Sequence, residues 1–331
     1  MNHPAQHPPA FNDPADGRVD TPAFNRRETS FARNPWALAA LLAMPLVFST
    51  NLIVGRAVVG VVPPWSLAFW RWLIAAAVLL PFTAISLMRH RDLLRREWAR
   101  ILLLGFFGMV LCGGNVYVAL GHTSATNATL IYTTSTIMVV LFDALLKRRA
   151  LPAIQLIGTL AGFAGIALIA VHGEPRRILA LEFNIGDLGM LVAAVSWAIY
   201  SLMLRGGPLS RLGGQTVFAA NAIAGTLLLA PFALWEWASG AHQPATIEAW
   251  SAIVFLALFP SVLAFGLFVF CIRVAGAPVT ANFLYLMPVY GVLMAMALLD
   301  ETLHLYHGIG FVLILGGVAL ATRRPRPAFS P

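Results

Sequence analysis

Ten separate runs of about 20 apolar residues constrain this chain more than any other feature. They lie at 36–55, 65–87, 101–120, 124–146, 152–171, 186–204, 214–235, 250–271, 277–299 and 304–322. A run of that length crosses the hydrocarbon core as a helix, because lipid offers the backbone no other hydrogen-bond partner. Only three runs contain an Asp, Glu, Lys or Arg, one each: Arg71, Asp143 and Asp187. Strands of a membrane barrel would show a polar residue at every second position, and these runs do not. Composition agrees, with 59% hydrophobic and 11% charged residues against about 45–50% and 25% in soluble domains. Two cysteines, Cys112 and Cys271, both inside apolar runs, exclude a secreted disulfide scaffold. The expected class is an all-α membrane protein with ten transmembrane helices.

Residues 1–34 carry prolines at 4, 8, 9, 14 and 22 and no long apolar run, the pattern of a disordered cytoplasmic tail. No cleavable signal peptide is evident before the first span, which is expected to act as its own signal anchor. Lys and Arg set the orientation. With the N-terminus inside, cytoplasmic segments, including the C-terminal tail 323–331, hold 18 of these cations and external segments three (Arg56, Arg176, Arg177). Both termini are therefore expected in the cytoplasm. The net charge of +8 then belongs to loops beside anionic lipid. Nucleic-acid binding would want a basic patch on a soluble face, which the chain lacks.

The spans fall into two sets of five. Loops within spans 1–5 are 9, 13, 3 and 5 residues long, and within spans 6–10 they are 9, 14, 5 and 4. LLPF at 79–82 matches LAPF at 229–232, and Arg56 matches Arg205. Ala128–Tyr132 matches Ala281–Tyr285, and Gly165–Leu168 matches Gly317–Leu320. The expected division is 35–172 and 173–322. Five is odd, so the second copy enters the membrane from the opposite side. Inverted repeats around a midplane cavity are the architecture of alternating-access transporters; enzymes and receptors have no comparable need for it.

Here the chain resembles the drug/metabolite transporter superfamily, specifically its ten-span EamA-type exporters. The resemblance rests on FWRWLIAA at 69–76, YVALGHTSATNATLIY at 117–132, Tyr285–Leu286–Met287–Pro288, and Asp300–Glu301 followed by GIGFVLILGGVAL at 308–320. It implies a basket of ten helices around a central cavity and export of small metabolites, amino acids among them. Two positions depart from the family pattern. Lys147–Arg148–Arg149 stands where an acidic residue often ends span 4, and Ser135 stands where span 9 has Pro288.

Polar side chains within a span usually face the protein interior or a water-filled path. In span 4, Thr126, Thr129, Tyr132, Thr133 and Thr136 recur on one helical face. Its mate, span 9, carries Asn282, Tyr285 and Pro288. Asn51 in span 1 faces Tyr200 in span 6, where Ser196 and Trp197 also lie. Span 3 adds Asn115 and Tyr117, and span 8 adds Ser261, Phe265 and Phe268. Tyr132, Tyr200 and Tyr285 lie too deep for an interfacial belt. The expected substrate-binding set is Asn51, Asn115, Tyr117, Thr129, Tyr132, Thr133, Ser135, Trp197, Tyr200, Phe265, Asn282 and Tyr285. The competing reading of each Ser, Thr or Asn is an interhelical hydrogen bond.

Pro260 and Pro288 are expected gating hinges or kinks that shape the cavity. Arg71 reads as a snorkelling residue or interhelical brace before an anion site. Asp143 and Lys147 are spaced for an i,i+4 ion pair. Gly158-xxx-Gly162 and Gly316–Gly317 permit close helix packing.

The histidines lie in the tail, in loops or in the first turn of span 10, and no acid lies at midplane. Neither a metal site nor a cofactor is expected, and phosphate-loop and hydrolase motifs are missing, so catalysis is not expected. The inferred cavity is uncharged, aromatic and rich in hydroxyls. These features lead to an inner-membrane exporter of small neutral metabolites, amino acids with aromatic or other apolar side chains first among them. Alternating access with facilitated diffusion or exchange suits the missing acids. Export of a nucleobase, nucleotide-sugar or cationic drug, or a receptor or scaffold that moves nothing, are the alternatives. The expected partners are a small-molecule substrate and the lipid bilayer, without nucleic acid, for a chain that can act as a monomer.

Overall fold

The computed structural model describes residues 35–322 except positions 59, 124, 149, 175, 177–183 and 300–303. The expected tails 1–34 and 323–331, and the Asp300–Glu301 motif, lie outside the described residues.

Ten apolar helical segments follow in order. They are α1 (Pro35–Val58), α2 (Pro64–Arg89), α3 (Trp98–Leu120), α4 (Ala125–Leu146), α5 (Ala153–Ala170), α6 (Ile185–Met203), α7 (Gly214–Ala238) and α8 (Ile247–Ala275). Next come α9, in two pieces (Ala277–Phe283 and Leu286–Leu299), and α10 (Leu305–Ala321). Eight are long and apolar enough to cross a membrane; α10 and the Pro35–Asn51 part of α1 are shorter apolar helices. No strand occurs among the described residues.

Local chemistry explains most boundaries. Pro64 starts α2, where a missing N–H costs nothing. The α6 start is a capping box: Asn184 Oδ1 accepts from the Asp187 N–H, and Asp187 accepts from the Asn184 N–H, both at 3.0 Å. Asp187 is 2% exposed and also accepts from Thr123 Oγ1 and, at 3.1 Å, from Asn127 Nδ2. This acid therefore pins the start of α4 to the start of α6. Asp143 pairs with Lys147 at 2.8 Å, as the i,i+4 spacing predicts.

Helix packing follows the repeat. Contacts of α4 with α6 have their counterpart in α9 with α1, and contacts of α3 with α6 in α8 with α1. Helices α2 and α7 pack on each other, as do α5 and α10, each pair being repeat mates. That pattern is what a two-fold axis between inverted halves requires. At the α5–α10 seam, a Cβ on Gly165 would lie 2.7 Å from the Gly310 carbonyl oxygen, so the two backbones touch only because both residues are glycine.

The repeat also carries an irregularity that hydropathy does not reveal. A π-helical stretch interrupts α3 at Phe106–Gly114 and its mate α8 at Ala257–Ala264. Such bulges rotate the following side chains out of α-helical register and are frequent at functional sites. In α9 the break falls at 284–285. Pro288 has no N–H for the Leu284 carbonyl, which instead accepts from the Met287 N–H at 3.0 Å.

Candidate functional site

Between the two halves lies a cavity of about 510 Å³, within the range of small-molecule sites. Its wall comes from α1, α3, α4, α5, α6, α8 and α9, with Arg71 reaching in from α2. On α4, Thr129, Tyr132, Thr133 and Thr136 line it at the expected spacing, with Ser135 beside them.

The floor is aromatic and closed. Phe48, Trp197, Phe265 and Tyr285 line it at 6%, 4%, 3% and 1% exposure. Phe48 meets Phe265 edge-on at 5.3 Å, Trp197 meets Phe265 edge-on at 5.6 Å, and Trp197 lies 4.6 Å from Phe268 beneath. Such geometries are favourable for aromatic pairs. Tyr285 sits in the break of α9, its ring seated over Gly162 of α5; a Cβ there would come within 2.5 Å of the ring. The opposite end is lined by Leu120, Ile169, His172 and Val292, at the ends of α3 and α5 and in the outer half of α9. His172 is exposed and the other three partly so. Among the described lining residues only His172 is exposed, and it lies at that end.

Asn51, Thr129, Tyr132, Thr133, Ser135, Trp197, Phe265 and Tyr285 therefore share one wall, with Pro288 on it. The other expected binding residues stand off it. Asn115 donates to the Gly189 carbonyl at 2.8 Å and joins α3 to α6. Asn282 donates to the Pro278 carbonyl at 2.8 Å and accepts from Thr159 at 3.2 Å. Tyr200 is fully buried below the floor, stacked on Phe268 at 6.4 Å. Tyr117 lies behind the wall and supports it, and Pro260 lies in the bulge of α8.

The expectation of an uncharged cavity is corrected. Arg71 does not snorkel: it is 3% exposed and lines the cavity. Its Nε donates to Ser261 Oγ at 2.5 Å, and its Nη1 donates to Tyr117 Oη at 2.5 Å and Asn51 Oδ1 at 3.1 Å. The Tyr117 hydroxyl in turn donates a hydrogen bond to Asn51 Oδ1 at 3.1 Å. The guanidinium carbon lies 5.2 Å from the Trp72 ring centroid and 5.9 Å from that of Tyr117. Among the described residues, no carboxylate is within ion-pairing distance of it.

The α8 bulge supplies one of these partners. Pro260 cannot donate to the Leu256 carbonyl, and the Ser261 hydroxyl donates there at 2.8 Å, leaving its oxygen to accept from Arg71.

Several lining residues escaped sequence reasoning, Phe48, Cys112 and Met190 among them. Phe48 had a signal, because it lies three residues before Asn51 on the same helical face. Cys112 and Met190 had none, being apolar residues in apolar helices.

A model of the EamA-like transporter family matches the chain twice, over residues 34–171 and 184–323. The chain is 30% identical to an uncharacterized transporter of Archaeoglobus fulgidus over 266 residues, 79% of this chain and 88% of that one. It is 27% identical to the uncharacterized transporter YyaM of Bacillus subtilis over 287 residues, 85% of this chain and 92% of that one. It is 26% identical to the uncharacterized inner membrane transporter YedA of Escherichia coli over 298 residues, 86% of this chain and 89% of that one. A solved crystal structure superposes with a TM-score of 0.68 at 25% identity, covering 86% of this chain and 96% of its own.

Proposed function

The chain belongs to the EamA-like transporter family, and we propose that it exports small metabolites across an inner membrane by alternating access. Amino acids with aromatic or other apolar side chains are the favoured cargo. The observation that carries this reading is the cavity of about 510 Å³ bounded by both repeats, with exposed His172 at one end, which we take as the open one, and packed aromatic rings at the other. A floor of Phe48, Trp197, Phe265 and Tyr285 suits a planar or branched apolar group. The hydroxyls of Thr129, Tyr132 and Thr133 suit a polar end.

With both termini in the cytoplasm, as the Lys and Arg distribution favours, the open end faces away from the cytoplasm. Export then requires the aromatic floor to part, the α9 break ahead of Pro288 and the bulges of α3 and α8 being places where helices can bend without losing regular hydrogen bonds. Among the described residues no Asp or Glu lines the cavity, which favours downhill movement or exchange over proton coupling.

Counterflow into proteoliposomes, screened over the twenty amino acids, tests the reading. Apolar and aromatic members should accumulate label and charged ones should not. A flat response across the set removes amino acids from the proposal; a receptor or scaffold gives no time-dependent uptake of any cargo.

A further inference from the structure

We propose that Arg71 is the anchor for a carboxylate on the transported molecule, so that the substrate class is a small monocarboxylate with an apolar body. This deepens the transport reading above and rests on it.

The hydrogen-bond directions around Arg71 can be assigned completely. Its Nε and Nη1 are held by three neutral acceptors, Ser261 Oγ, Tyr117 Oη and Asn51 Oδ1. None carries negative charge; the Trp72 and Tyr117 rings offset the charge only in part, so among the described residues no anion neutralises the buried guanidinium, an expensive arrangement in a membrane. Its remaining terminal nitrogen, Nη2, has no protein partner among the described residues, and Arg71 lines the cavity. Asn51 adds a second donor. Its Oδ1 accepts from both Arg71 and Tyr117, which fixes the amide orientation and leaves Nδ2 as a donor without an acceptor among the described residues. Asn51 also lines the cavity.

Two unused donors, one charged and held rigid from α1, α3 and α8, match the needs of a carboxylate. The aromatic floor lies in the same cavity, ready for the apolar body. Among the described residues no acid lines the wall to hold an ammonium group, so an amino acid is recognised through its carboxylate, and acids lacking the amine bind at least as well.

Calorimetric titration of the purified full chain in nanodiscs tests this with probes matched in shape: 3-phenylpropionate against 3-phenylpropan-1-ol, and 4-methylpentanoate against 4-methylpentan-1-ol. Each acid should bind about 10–100-fold more tightly than its alcohol. Arg71→Gln should erase that preference. Because Arg71→Gln also loosens Ser261 and Tyr117, Asn51→Asp is the second variant: it places a carboxylate on the guanidinium, keeps the fold, and should bring acid affinity down to that of the alcohol. Equal binding of acid and alcohol by the native chain, or an acid preference that survives Asn51→Asp, overturns the anchor and leaves the transport reading standing. Failure of the native chain to bind any probe at millimolar concentration overturns the apolar-metabolite cavity and the anchor together.

Discussion

Glu236, near the end of α7, accepts a hydrogen bond from the Ser66 N–H at 2.7 Å and a second from Ser66 Oγ at 2.7 Å, in the first turn of α2. A carboxylate of the second repeat thus caps a helix of the first and opposes its positive dipole end. The Trp65 N–H also donates to it at 3.2 Å, and Trp237 Nε1 donates to Ser66 Oγ at 2.6 Å.

Glu236→Ala should therefore destabilise the protein without touching the cavity. Losing a charged cap and leaving buried donors unpaired costs about 1–3 kcal/mol. Melting in detergent should fall by roughly 2–4 °C per kcal/mol, while substrate affinity at lower temperature stays unchanged. An unaltered melting temperature would show that water replaces the cap.

Tyr132 and Tyr285 both line the cavity, on the repeat mates α4 and α9. Tyr132→Ala and Tyr285→Ala should each lower transport in proteoliposomes by about tenfold or more, the effect of losing ~1.4 kcal/mol of contact, with expression retained. Normal rates in both variants would remove these rings from the substrate path.

The glycine seam of α5 and α10 allows a comparison of two neighbouring kinds of site. Gly165→Val should cost about 1–3 kcal/mol through overpacking, since even its Cβ would press on the Gly310 carbonyl. Gly316 has open space around its Cβ position, so Gly316→Ala should leave thermal stability unchanged or slightly raised. Equal effects at the two positions would rule out close backbone contact as the reason for the seam.

Inversion of the halves makes a topological prediction. Arg91 and Glu248 lie in exposed, repeat-equivalent connections, after α2 and at the start of α8. In a background lacking Cys112 and Cys271, Glu248→Cys should react with an impermeant maleimide in intact cells and Arg91→Cys only after lysis. Labelling of both from one side would contradict inverted repeats.

Much of this molecule was legible before any coordinates. Lipid satisfies no backbone group, so each membrane crossing must declare itself locally as a long apolar run, and a duplicated set of five must declare its inversion by parity. The hydroxyl face of α4 was legible for the same reason: Thr129, Tyr132 and Thr133 recur at the helical period, and the structure places them on one wall. Asn115, Asn282 and Tyr200 had the same local signature, yet they meet Gly189, Thr159 and Phe268 instead. Only tertiary structure could decide between wall and helix seam, because a polar side chain looks alike in sequence whether its partner is a neighbouring helix or a ligand. The charge of the cavity was decided the same way. Arg71 stands alone in α2, and its partners Asn51, Tyr117 and Ser261 are 20, 46 and 190 residues away. Local pattern governs what enters the bilayer; which distant groups then meet is a property of how the helices pack.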